Sequence, residues 1–367
     1  MALKLDPPFR ADQVGSLLRP AALKEARAAH AAGRLSATEL TAIEDREIEA
    51  VIARQEAIGL SAVTDGEFRR SWWHYDYLWQ LDGVEKRQLD TGIQFAGTTT
   101  RAEAPFVHGR IKFSTHPFVD HFKFLRAKTR RTPKMTIPSP SMLHFRHGRK
   151  IIAPGLYDDM SDYYADLGTA YRDAVRTFYD AGCRYLQLDD ISFAYLCDPA
   201  QKQMMRDRGD DPDAQAALYA GVVEAAIKDR PTDLAISMHL CRGNFRSTFV
   251  ASGGYEPIAE LLFNAMSVDS YFLEFDSERA GDFAPLRFLP AGKTVVLGLV
   301  SSKVGALETK DAVKRRIDEA TRYVPLERLC LSTQCGFAST EEGNLVAEAE
   351  QWRKLALIVE IAAEVWG

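Results

Sequence analysis

Eight times along the chain a short apolar, β-branched run stops abruptly at polar or chemically capable residues. These runs are 11–16, 62–67, 135–139, 185–190, 234–241, 271–276, 294–301 and 329–335. Continuous apolar runs of this length predict strands buried on both faces, as in a parallel sheet covered by helices. Helical spacing fills intervals between them. In 161–181 the residues Tyr164, Leu167, Tyr171, Ala174, Val175 and Phe178 recur at three- and four-residue steps, and Gly182 follows as a stop. Segments 213–228, 257–264 and 308–323 have the same period. Strand alternating with helix eight times predicts an α/β fold, a single (β/α)8 TIM barrel over residues 1–367. An open doubly wound sheet is the competing arrangement, but no G-x-G-x-x-G turn follows the first run. Segment 92–131 has little helical period. Within it, 105–113 with His108-Gly109 at its centre predicts a β-hairpin inserted between strands two and three.

Composition narrows the setting. The chain has 367 residues, 46% hydrophobic and 26% charged, which is globular rather than disordered or fibrous. No apolar run approaches the ~18 residues of a membrane span. The N-terminal stretch lacks the apolar centre of a signal peptide, so a cytoplasmic protein is expected. A net charge of −5 argues against a general nucleic-acid binder. Residues 121–150 run against that balance, with nine Lys or Arg and no Asp or Glu. Such a stretch is either an anion-receiving rim or a solvated loop. Five widely spaced cysteines do not form a disulfide framework.

Some of those cysteines fall at strand ends beside other ligand types. His239 and Cys241 are two apart at the end of the fifth run, so an extended backbone turns both to one side. Glu274 ends the sixth run and Cys335 the eighth. Catalytic groups of a barrel gather at the C-terminal ends of its strands, so these distant positions converge. One imidazole, two thiolates and a carboxylate suit Zn2+ better than Mg2+ or Ca2+. Cys183, Cys197 and Cys330 lie at strand starts or in a helix-like stretch and are expected in the core.

A site this rich in anionic ligands is poorly suited to making hydroxide and well suited to activating a substrate thiol. S-alkylation of a small thiol is the expected reaction. Asp65, Glu67, Asp189 and Asp190 end other strands and could hold an ammonium group, do acid–base work, or simply cap the following helices. Gly15 and Ser16 offer N–H groups and a hydroxyl to a carboxylate.

Taken in order, VGSLLRP (14–20), TDGEFRR (64–70), QLDD (187–190), the H-x-C pair, Glu274 and STQCG (332–336) resemble the cobalamin-independent methionine synthase family, zinc enzymes that methylate homocysteine. The resemblance runs from about residue 10 to 345 and covers the catalytic barrel alone. It implies zinc held by His239, Cys241, Glu274 and Cys335, the homocysteine ammonium held by Glu67 and Asp189, and its carboxylate by Ser16. It also implies a methyl-tetrahydrofolate donor carrying several glutamates, whose tail the 121–150 stretch could receive. Two departures bear on the donor. The family's histidine after strand seven is replaced by GLVSSKVG (298–305), and its tryptophan after strand three is missing from PSPSMLHF (138–145). Trp72 and Trp73 could supply another platform, or form a plain aromatic lid. Asp190, His74 or Lys303 could relay the proton that the donor's departing nitrogen needs. Two other readings remain open: alkylation of coenzyme M, whose sulfonate would call on Arg69 or Arg70, and a non-catalytic module that binds zinc and homocysteine.

Overall fold

The computed structural model describes residues 6–367. Its centre is a six-stranded parallel sheet in the order Met135–Pro138, Tyr185–Asp190, Ala235–Leu240, Ser270–Glu274, Thr294–Val300 and Leu329–Thr333. Nearly every residue in these strands is buried, which is why the runs are apolar throughout rather than alternating. Helices lie between them in the chain. Met160–Asp180 begins at Asp159, whose carboxylate accepts the Ser161 N–H at 2.8 Å, and it buries Leu167, Tyr171, Ala174 and Phe178. Pro212–Ile227, Lys310–Ala320 and Glu348–Trp366 cover the sheet in the same way. This is an α/β architecture like a TIM barrel, with the strands' C-terminal ends gathered on one face.

The ladder does not close into the expected barrel. The first run joins the last strand through Asp12 N to Leu331 O at 3.0 Å and Leu331 N to Arg10 O at 2.9 Å. The second run is a two-residue strand, Ala62–Val63, parallel to Thr132–Pro133. Between these two runs no strand pairing forms among the described residues. Side chains bridge them instead: Thr64 Oγ1 donates to Gly15 O at 2.6 Å and Gln13 Nε2 to Ala62 O at 3.4 Å. Asp12 and Gln13 turn the first run polar, and Gly15 takes a φ of 139°, so the backbone leaves the extended course a ladder requires.

Nor is the hairpin centred on His108-Gly109 present. Glu103–Lys112 is one strand that runs through both residues and pairs antiparallel with Asp82–Gln88. The close approach belongs to Gly83, since a Cβ on Gly109 would meet only the Gly83 Cα, at 3.4 Å. A Cβ on Gly83, at φ 78°, would come within 2.6 Å of the Gly109 carbonyl oxygen, at a register shift between Asp82 and Val84. The rest of the weakly periodic segment contains a helix, Pro117–Lys128, and a small turn of strand, Gln94–Phe95 with Thr98–Thr99.

The nine cations of 121–150 do not make a common rim. Lys123 pairs with Asp120 at 2.9 Å and Lys128 with Glu49 at 2.7 Å, Lys134 is wholly buried against Asp12, and Arg126 donates to Ala181 O. Arg146 lines the cavities described below.

Candidate metal centre

The ligating atoms of His239, Cys241, Glu274 and Cys335 all lie within 4.8 Å of one another, and all four residues are buried. Their convergence follows from the sheet. His239 sits beside Phe272 in the register of neighbouring strands, and Glu274 closes the strand that contains Phe272. Cys241 and Cys335 each lie just past a strand end, with their sulfurs 3.5 Å apart.

The residues fit a zinc ion on three independent observations. His239 Nδ1 donates to Phe272 O at 3.3 Å, which leaves Nε2 bare as the ligand atom, and that atom is buried without a partner. Both carboxylate oxygens of Glu274 are likewise buried without a hydrogen bond. Such orphaned polar atoms are costly unless a ligand satisfies them. The Gly243 N–H points at Cys241 Sγ from 3.3 Å, as suits a thiolate. The Cys241 thiol is held well above its ordinary range, first by its hydrogen bond with Cys335 and then by burial. A divalent cation bound here would draw the proton off that thiol.

Above the donors lies a narrow cavity lined by Val14, Ser16, Glu67, Trp73, Asp189, His239, Cys241, Cys335, Gly336 and Ser339. It brings Ser16, Glu67, Asp189 and Trp73 together with three of the four ligand residues. Gly15 stands behind this wall, where a Cβ would strike Thr136 Cγ2 at 2.7 Å. Glu67 sits at φ 60°, an uncommon conformation for a side chain other than glycine. Its Oε1 accepts from Thr136 Oγ1 at 2.9 Å and lies 3.3 Å from Arg70, while Oε2 is buried without a partner. The Asp189 carboxyl is pushed up to about 7, chiefly by burial and with Glu67 adding to it; His239, Gln187 and Arg70 oppose the rise. Asp65 is spent locally, its Oδ1 accepting the Glu67 N–H at 2.8 Å.

The three proton candidates separate. Asp190 points away from the cavity and gathers the hydroxyls of Ser139, Ser141 and Ser192, the last at 2.8 Å, together with the Phe193 N–H. Adjacent strand residues face opposite sides, so Asp189 and Asp190 cannot share the mouth. The Lys303 ammonium donates to Gly243 O, Asn244 Oδ1 and Thr248 O between 2.8 and 3.2 Å, which ties down a loop. His74 alone of the three has both ring nitrogens without a partner. It is stacked between Trp73 at 4.3 Å and Tyr75 at 3.9 Å. Burial, with Arg146 and His147 nearby, pulls it well below the usual histidine range, so the ring is neutral.

His74 and Trp72 line a second cavity with Phe95, Arg146, Cys241 and Phe245, and this one shares Trp73 and Cys241 with the first. It opens through Ile93 and Arg146 to an outer cavity of about 410 Å3. Trp72 itself is 2% exposed, and its Nε1 donates to Glu103 at 2.8 Å, so it serves as wall rather than platform. Trp73 is the half-buried ring between the two inner cavities. Phe95 and Phe245 were not foreseen, nor were Arg242 and Arg279, which lie 3.7 and 3.6 Å from the Glu274 carboxylate. Phe95 lies in the misread insertion, and nothing local to Arg242 or Arg279 points to their neighbour.

Cys183, Cys197 and Cys330 are buried as expected, each making a weak bond to a carbonyl, of Tyr185, Phe193 and Pro8 respectively. Among the described residues no helix is long and apolar enough to cross a membrane.

Residues 9–363 match the family model described as the catalytic domain of cobalamin-independent synthase. An uncharacterized protein of Bacillus subtilis strain 168, YxjH, is 51% identical over 98% of this chain and 95% of its own. A solved structure from Listeria monocytogenes, provisionally described as a vitamin-B12-independent methionine synthase, superposes with a TM-score of 0.80 at 44% identity, covering 99% of each chain. A B12-independent methionine synthase from Shewanella sp. W3-18-1, solved with selenomethionine, shares the fold at a TM-score of 0.72 and 18% identity, over 97% of each chain. A ligand set converging at strand ends and a family match across nearly the whole chain agree: the chain belongs to the cobalamin-independent methionine synthase family, through its catalytic domain.

Proposed function

We propose that this protein is a zinc-dependent thiol S-methyltransferase that converts homocysteine to methionine, taking the methyl group from methyl-tetrahydrofolate or a simpler donor. One observation carries the choice of thiol. The cavity over the metal donors is walled by two carboxylates, Glu67 and Asp189, and by no arginine or lysine. That lining favours an ammonium-bearing thiol and disfavours a sulfonate. The arginines a sulfonate would call on are committed elsewhere. Arg69 is paired with Glu44 at 3.0 Å and with Asp45. Arg70 is 1% exposed, bound to Thr136 O at 2.7 Å and paired with Glu67 at 3.3 Å behind the cavity wall.

Zinc held by His239, Cys241, Glu274 and Cys335 would lower the proton affinity of an incoming thiol. The remaining work falls to the chain. Glu67 and Asp189 fix the ammonium, and the Ser16 hydroxyl and nearby backbone receive the carboxylate, so the sulfur is placed in line with the donor. Trp73 shields this geometry from water, and the donor approaches from the cavity lined by His74. Sulfur gains the methyl group as the donor's bond to it breaks, and the thiol's proton is balanced by one taken up on the donor's leaving atom. The neutral His74 ring can donate a hydrogen bond there.

Zinc-loaded protein given homocysteine and methyl-tetrahydrofolate, as mono- and triglutamate, is expected to form methionine. Tighter binding of 2-mercaptoethanesulfonate than of homocysteine would overturn the reading. Glu67→Gln is expected to raise the KM for homocysteine about 10- to 100-fold, the worth of a charged hydrogen bond, with zinc content unchanged. Steady-state kinetics beside elemental analysis reads both.

A further inference from the structure

The inner cavity lined by His74 encloses about 20 Å3, room for one water. No methyl donor fits there with the walls as they stand. Yet both ring nitrogens of His74 and the Nε of Arg146, which line it, are buried without partners, a cost that an entering ligand would relieve. A wall must give way, and the walls are fastened very unequally. On the body side the Trp73 N–H donates to Ser339 O at 2.9 Å, Trp72 is bridged to Thr340, and His74 is clamped between two rings. The loop carrying Gly243 and Phe245 is tied by Lys303, and by Asn244 Nδ2, which donates to Gly336 O at 2.8 Å.

The opposite wall is the segment 91–100, whose Ile93 lines both the inner and the outer cavity. Its hydrogen bonds stay within it. The Ile93 N–H donates to Thr100 Oγ1 at 2.8 Å, the Thr100 N–H to Ile93 O at 3.0 Å, and Thr99 Oγ1 to Gln94 Oε1 at 2.8 Å. Among the described residues no hydrogen bond or ion pair joins 91–99 to the body. At the neck the two arms touch, since a Cβ on Gly92 would lie 1.9 Å from Thr100 O. At the tip a Cβ on Gly97, at φ 75°, would meet nothing within 4 Å. What seats the segment is apolar. The Phe95 and Phe245 ring centres are 5.4 Å apart, and a Cβ on Gly243 would come within 3.2 Å of Phe95 Cε1.

We infer that residues 91–100 are a hinged lid over the donor side of the site, and that Phe95 is its latch, whose release from Phe245 opens the way from the outer cavity to His74. The inference deepens the proposed function and rests on its donor route alone. Below the neck the Leu89 N–H donates to Ala102 O at 2.7 Å, and this last ladder bond marks the hinge. The tight neck lets the segment swing as one piece. Because no hydrogen bond to the body breaks, opening costs chiefly the aromatic contact and the apolar area that Phe95 covers. Closed again over a donor, the lid holds it against His74 and keeps water out.

Paired spin labels on the full chain test this, one at the exposed Ala96→Cys on the lid and one at Leu218→Cys on the outer helix Pro212–Ile227. The five native thiols are buried. Phe95→Ala should enlarge a second, displaced distance population about tenfold over wild type, the worth of a lost aromatic pair. Phe245→Ala should do the same and Phe95→Leu less. Distances unchanged by Phe95→Ala overturn the inference. A control pair puts the second label at Leu345→Cys, whose N–H is bonded to Ser247 Oγ and so reports the receiving loop. A shift between Leu218 and Leu345 would put the movement in the body and overturn the inference as well. In turnover Phe95→Ala should raise the KM for the methyl donor about tenfold and leave that for homocysteine unchanged. An unchanged donor KM, or a rise confined to homocysteine, counts against the lid. If no methyl donor is turned over at all, it is the proposed reaction that fails, and the distances still decide whether the lid exists.

Discussion

Cys335→Ala is expected to strip zinc from the purified protein and to lower methionine formation by about three orders of magnitude or more. The size of the effect follows from the donor set. Cys335 contributes one of two sulfurs that stand 3.5 Å apart, and the cavity lining holds no third sulfur to replace it. The remaining three donors leave an open position on a small ion whose structural preference is four-coordinate. Cys335→Ser should do nearly as badly, because a serine hydroxyl does not ionise at neutral pH as a metal-bound thiol does. Glu274→Gln should be milder in metal content, since two thiolates and an imidazole remain. Cys183→Ala is the matched control: that thiol is also buried, yet its sulfur only meets Tyr185 O at 3.3 Å. Elemental analysis of the four variants, alongside turnover, checks the order. Zinc retained at wild-type level in Cys335→Ala would remove the metal assignment itself.

The convergence of His239, Cys241, Glu274 and Cys335 was legible because three physical regularities coincide there. Parallel strands need unbroken apolar runs, chemistry sits at their C-terminal ends, and alternation turns residues two apart to the same side. The same alternation, applied to Asp189-Asp190, would have separated the cavity residue from the structural one. Lys303 could not be sorted that way. Whether an ammonium is free or locked depends on carbonyls of a loop some sixty positions earlier, at Gly243 and Thr248. His108-Gly109 misled for a related reason. A glycine beside a polar residue signals a turn locally, but this one lies inside a continuous strand, and the tight backbone position is Gly83 on the strand beside it. The expected hairpin is absent, and Glu103–Lys112 pairs instead with Asp82–Gln88. The first strand was the weakest run in the sequence, and its polar Asp12 and Gln13 are where the ladder fails to close.

That weak strand carries the largest expected stability effect. Asp12 and Lys134 form an ion pair at 3.1 Å with both side chains wholly buried. Asp12 also accepts the Tyr185 hydroxyl at 2.8 Å and the Phe9 N–H at 3.2 Å, and Lys134 sits 4.0 Å from the centre of the Phe272 ring. Burial lowers the proton affinity of Lys134, and Asp12 is the first charge that opposes it. On one side the first run is bonded to Leu331; on the other it has side-chain bridges in place of a ladder. This polar knot therefore does the work of a strand pairing, fastening Asp12 to Lys134 just before the third run and to Tyr185 at the start of the fourth. Asp12→Ala leaves a lysine buried without its partner and should cost about 3–5 kcal/mol. For a chain of this size that corresponds to a fall in Tm of about 5 °C, readable by calorimetry or by a denaturant midpoint. Replacing both partners with apolar residues, Asp12→Leu with Lys134→Met, should recover much of the loss, since a well-packed apolar pair rivals a buried ionic one. If the double variant is as unstable as the single, the knot is needed for its hydrogen bonds to Tyr185 and Phe9 rather than for its charge. If Asp12→Ala is neutral, the side-chain bridges at Gly15 and Ala62 hold the first strand unaided.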